Sequence, residues 1–186
     1  MRNTKILFLV EVAIFSALAY LLDFLAFKIW AQGGSVSLSM VPVFFIAFRW
    51  GIKGGVLSGL LYGALQLLTT TYIYSIPQAF MDYIVAFIVL GFAGLVSNRM
   101  KEALQAGDKS KMHTYVVIGA LIGSSLRFIA HYIGGIVFFA DFAPEGTPVA
   151  LYSLLYNGSY MLPAFILSSI VLIFMISSSK RLLQTR

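Results

Sequence analysis

The chain has 186 residues, 60% of them hydrophobic and only 11% charged, where soluble domains carry about 45–50% and about 25%. That balance excludes a soluble globular protein, and 16 Phe, 10 Tyr and a mean hydropathy of +0.90 exclude disorder. The net charge of +6 reads as the basic inner loops of a membrane protein and not as a nucleic-acid surface, while the absence of cysteine and a total of two histidines argue against disulfides, thiolate chemistry and multi-histidine metal sites.

Six apolar runs follow one another at 5–27, 35–50, 54–72, 78–98, 114–139 and 151–179, each read as a helix crossing the membrane, which takes about 20 residues. The first lacks the small-residue cleavage site of a secretory signal and is read as a retained span. Threaded alternately, six spans put 11 of the 13 basic residues on one side: Arg2 and Lys5, Arg49 and Lys53, Arg99, Lys101, Lys109 and Lys111, and Lys180, Arg181 and Arg186. The other side keeps Lys28 with Asp23, Asp141 and Glu145, and Arg127 lies within the fifth run. The positive-inside rule then makes both termini cytoplasmic. The expected fold is an all-α integral membrane protein, a six-helix bundle forming one domain over 1–186, with 99–113 as a cytoplasmic linker between helices four and five.

Ionisable groups inside a span cost about 2.5–3.5 kcal/mol on insertion scales, which marks Glu11, Asp82, Arg127 and His131 as candidates. Asp82, His131, Tyr152 and Asn157 gather in the outer half of the threaded bundle. His131, Gly135, Phe138 and Phe139 share one face of the fifth helix, Gln78 and Asp82 one face of the fourth with Tyr83 adjacent, and Tyr156 and Tyr160 one face of the sixth. Gly135, between a histidine and aromatic rings, is expected to leave room for a flat ring. Aromatic faces with a carboxylate suit an aromatic organic cation. Blander readings stand beside this one: Tyr72, Tyr74, Tyr152 and Trp30 also fit an interfacial belt, His131 a helix-to-helix hydrogen bond, and Arg127 and Glu11 bonds to neighbouring helices outside the site. Gly55, Gly59 and Gly63 form a stripe suited to internal packing, and Ala13 and Ala17 a small pair facing either the bundle or a partner.

No phosphate-binding loop occurs, so the chain is not expected to hydrolyse ATP. An intramembrane serine protease would need Ser125, in the stretch Gly123 to Leu126, to meet His131. Six residues on along one helix, that side chain points about 240° away. A proton-coupled secondary transporter would use Asp82 and His131 as relay groups.

Gly33 to Gly51 (GGSVSLSMVPVFFIAFRWG), Arg127 to Ala140 (RFIAHYIGGIVFFA) and Ala143 to Pro163 (APEGTPVALYSLLYNGSYMLP) resemble the thiamine-specific S component, the substrate-binding subunit, of energy-coupling factor (ECF) transporters. The resemblance covers nearly the whole chain. It implies a non-enzymatic multi-pass protein of the bacterial plasma membrane that binds thiamine from outside and uses no cofactor of its own. Its implied partners are a transmembrane coupling protein and two cytoplasmic ATPases. It also implies pocket roles for His131, Tyr152, Asn157 and Tyr83, for Asp82 where the family carries glutamate, and for Phe139 where it carries tryptophan. Trp30 would sit on a lid, and Ala13 and Ala17 would contact the coupling protein.

Overall fold

The run TKILFLVEVAIFSALAYLLD contains neither proline nor glycine and forms α1 (Thr4–Asp23), about 30 Å long and so matched to a bilayer core. The computed structural model describes residues 4–30, 33–70, 73–179 and 183; Arg2, Tyr72, Lys180, Arg181 and Arg186, used above, lie outside the described residues. After α1 come a two-stranded antiparallel hairpin, β1 (Phe27–Trp30) and β2 (Gly33–Val36), then α2 (Met40–Thr69), α3 (Ile76–Gln105), α4 (Lys109–Phe138) and α5 (Val149–Ser178). All five helices are long and apolar enough to cross a membrane.

α2 is broken at Gly51, whose φ of 75° and ψ of −168° are open to glycine but not to side-chain-bearing residues. The chain doubles back there. Along α1, Glu11 bonds Arg49 and Phe15 stacks on Phe45 at 4.8 Å, whereas Ser16 meets Ser58 and Asp23 meets Gln66; the pairs run in opposite senses along the two limbs. The break strands carbonyls that would otherwise bond up the helix. Ser97 Oγ donates to the Phe48 carbonyl at 2.6 Å and Lys101 Nζ to that of Arg49 at 2.7 Å, so α3 closes the open end.

One expectation is corrected. The apolar run 35–50 is not one helix: residues 33–36 are a hairpin strand, and the limb 40–50 is about 16 Å long and buried from Met40 to Phe48 at the centre of the bundle. The charged stretch 99–113, expected as a cytoplasmic linker between helices, is largely helical. Its residues continue α3 to Gln105, turn at 106–108 with Gly107 at positive φ, and start α4, capped by the Asp108 carboxylate accepting from the Lys111 amide at 3.0 Å.

The glycine stripe packs inward. A Cβ on Gly55 would come within 2.7 Å of the Gly91 Cα, and those on Gly59 and Gly63 would strike the carbonyls of Phe87 and Tyr83. Backbone therefore lies against backbone along α2 and α3, which places Asp82 and Tyr83 opposite the end of α2. Gly59→Ala is expected to lower the thermal unfolding midpoint of the detergent-purified protein through an overpacking cost of about 1–3 kcal/mol. Gly158→Ala, whose Cβ would meet nothing within 4 Å, should leave it unchanged or slightly raised.

Candidate functional site

The ends of all five helices and the hairpin enclose a cavity of about 710 Å³ at the end of the bundle opposite the Gly51 turn. That volume lies within the range of small-molecule sites. Asp82, Tyr83, His131, Gly135, Phe139, Tyr152 and Asn157 all line it. Trp30 is placed on β1, paired with Gly33.

Asp82 lies in a π-helical turn of α3, residues 80–85, a widening of the helix that often accompanies functional sites. Its Oδ2 accepts from Gln78 Nε2 at 2.6 Å and its Oδ1 faces His131 Nδ1 at 3.2 Å. The Gln78 contact follows from the helical spacing read in the sequence. Gly134 leaves space for this carboxylate, since a Cβ there would sit 3.1 Å from Oδ1. Arg127 Nε points at His131 Nε2 from 3.4 Å. A guanidinium can only donate, so Nε2 accepts and the ring proton is assigned to Nδ1, directed at Asp82.

Arg127, set outside the site on sequence grounds, is thus part of it. Its guanidinium also lies 4.5 Å from the centroid of the Phe87 ring. Its position four residues before His131 was the available signal, because that spacing puts both on one face. Glu11 fits its bland reading: the carboxylate binds Arg49, with Nη2 at 2.8 Å, and Trp50 Nε1 at 2.7 Å, away from the cavity.

Sequence reasoning also missed a second polar group. Asp23, at the end of α1, accepts from Ser37 Oγ at 3.1 Å and from Gln66 Nε2 at 2.6 Å, and Gln66 donates in turn to the Tyr62 hydroxyl at 3.1 Å. The Tyr62 ring meets Phe87 edge-on at 4.4 Å. An unbroken wall therefore runs from Asp23 through Gln66, Tyr62, Phe87, Arg127 and His131 to Asp82. Apart from the Gln66–Tyr62 and Arg127–His131 steps, these contacts join residues far apart in the chain, and spacing carries no signal of them.

The opposite wall is α5. Tyr152, Tyr156 and Tyr160 form a ladder with centroids 5.8 and 5.9 Å apart, and His131 meets Tyr160 at 6.4 Å. Asn157, 4% exposed, spends its polar atoms on structure: Nδ2 donates to the Ser153 carbonyl at 2.9 Å and the His131 carbonyl at 3.4 Å, and Oδ1 accepts from the Tyr160 hydroxyl at 2.6 Å. Gly135 differs from its sequence reading. Its Cβ direction is filled by Ser153, whose own Cβ would lie 3.1 Å away, so the missing side chain lets α4 and α5 approach instead of clearing space for a ring. Phe139 and Tyr74 meet at 6.1 Å where the hairpin end of the cavity opens. Tyr74 and Tyr152 are therefore lining residues, whatever they add at the membrane interface.

None of this resembles a hydrolytic centre. Ser125 is exposed, the Ser124 hydroxyl lies 4.0 Å from the Met40 sulfur, and His131 is engaged by Asp82 and Arg127.

Comparison with known proteins covers almost the entire chain. Residues 9–184 match the family model described as thiamine transporter protein (Thia_YuaJ). The chain is 43% identical over 187 residues to the thiamine transporter ThiT of Bacillus subtilis (strain 168), spanning 99% of this chain and 97% of that protein. It is 26% identical over 174 residues to ThiT of Lacticaseibacillus paracasei, spanning 91% and 87%. The solved structure of ThiT from Listeria monocytogenes superposes with a TM-score of 0.92 at 32% identity, covering 97% of this chain and 99% of that one. Fold and sequence together show that this chain belongs to the thiamine transporter family, as a multi-pass transporter of the bacterial plasma membrane and not an enzyme.

Proposed function

We propose that the cavity binds thiamine and that the chain is the capturing S component of an ECF transporter, working with a transmembrane coupling protein and two ATPases. The observation that carries this reading is a supported carboxylate, Asp82, sharing one aromatic-walled cavity with His131 and the tyrosines of α5. Asp82 accepts from the amino group of the aminopyrimidine, while His131 and Phe139 offer faces to the thiazolium. Tyr83 and Tyr152 supply neutral hydrogen-bonding groups, Gly135 and Asn157 hold α4 and α5 at the required separation, and Trp30 rides on the hairpin as a lid.

The two antiparallel limbs of α2 support counting six membrane elements. The basic residues Arg49, Lys53, Arg99, Lys101, Lys109 and Lys111 lie at the end opposite the cavity, which supports cytoplasmic termini and a cavity facing outside. Ala13 and Ala17 are exposed on α1, whereas Val12, Ser16 and Ala19 face the bundle; the alanine pair is our proposed contact with the coupling protein.

Calorimetric titration of the detergent-purified protein with thiamine should show saturable heat without ATP, accompanied by quenching of tryptophan fluorescence; the absence of both signals would refute the reading. Asp82→Asn should weaken binding by about ten- to a hundredfold, the worth of one charge-assisted hydrogen bond, because an amide offers a single neutral acceptor. Glu11→Gln should leave affinity unchanged. Equal losses in the two variants would show that the carboxylate is misassigned.

The Asp82–His131 bond is also what a proton relay would use. Liposomes holding this chain alone should not accumulate thiamine under a pH gradient. Accumulation would replace the ECF assignment with a proton-coupled carrier.

A further inference from the structure

We infer that Asp23 is the counter-ion for the fixed positive charge of the ligand, an assignment that rests on the cavity being the thiamine site. Four formally charged side chains line the cavity: Asp23, Asp82, Lys28 and Arg127. Asp82 and Arg127 are already connected, one to each nitrogen of the His131 ring, and form a self-compensating unit. Lys28 stands on the exposed strand β1, where water screens it, and makes no ion pair with Asp23. Asp23 is thus the lining carboxylate that no cation opposes among the described residues.

Its two hydrogen bonds, from Ser37 and Gln66, are to neutral donors. An ionised carboxylate has about four acceptor sites, so half of its capacity remains. The bonds fix the group without neutralising it. They also tie it to the connection between β2 and α2, through Ser37, and to the last turn of α2, through Gln66. A quaternary thiazolium has no N–H and cannot be recognised by hydrogen bonding at its charged nitrogen. It needs a nearby full negative charge or a π face, and a part-buried carboxylate supplies the first at low local dielectric. The two carboxylates then divide the ligand: Asp82 serves the ring that donates hydrogen bonds, and Asp23 serves the ring that carries charge.

The test uses the full chain in detergent and two ligands, thiamine and its neutral thiophene isostere, in which carbon replaces the charged nitrogen. Asp23→Asn should weaken thiamine by about ten- to a hundredfold and the isostere by less than about twofold. Asp82→Asn should weaken both by the same factor. Asp23→Ser replaces the asparagine variant if that protein does not fold. Equal factors for the two ligands in the Asp23 variant, or no change for either, overturn the assignment while leaving the thiamine site in place. A wild-type protein that binds no thiamine overturns the site and the assignment together.

Discussion

A carboxylate inside a lipid-embedded bundle is tolerated only if protein dipoles replace the water it has lost, and the arrangement around Asp82 follows from that requirement. Gln78 supplies one donor from the preceding helical turn and His131 a second from the neighbouring helix. The histidine can donate there because Arg127 occupies its other nitrogen, and the guanidinium in turn lies over the Phe87 ring instead of facing lipid. Gly134 leaves the space into which the carboxylate fits. Each group is satisfied by the next, and the chain of dependence ends in aromatic and backbone packing, where nothing further needs solvating.

The glycine contacts give that network its floor. Where Gly55, Gly59 and Gly63 press against α3, the two helices are held at backbone distance, and neither can rotate without collision. The hairpin is attached differently. Its residues Phe27 and Ile29 are exposed, and its connection to the bundle includes the 3.1 Å bond from Ser37 to Asp23. A tightly built cavity floor and a lightly tethered rim are what a site needs when it must hold a ligand firmly yet admit it from one side.

What could be read from the sequence was local. Gln78 with Asp82, Tyr156 with Tyr160, and the inward glycine stripe all depend on helical spacing, and each contact is present. Hydropathy misjudged the segment 35–50 because it measures distaste for water and cannot separate lipid contact from burial among other helices. The limb 40–50 is apolar for the second reason. Charge left the conformation of 99–113 open, since a helix end with one wet face carries the same residues as a loop. Asp23 and Gln66, 43 positions apart, share no spacing signal, so half of the cavity's polar wall was invisible. The role of Gly135 depends on Ser153 of another helix, and one-helix reasoning assigned its empty side to a ligand.

The reversal at Gly51 has a consequence for the protein in membranes of different thickness. The limb 40–50 is encased by other helices, and its depth is set by Ser97 and Lys101 at one end and by the Asp23 cluster, through Ser37, at the other. Lipid chains do not act on it. Hydrophobic mismatch is absorbed by tilt of the peripheral helices, α1 above all, while this central plug keeps its register. The cavity is therefore referenced to a protein strut and not to the bilayer surface, and its geometry should be insensitive to acyl-chain length.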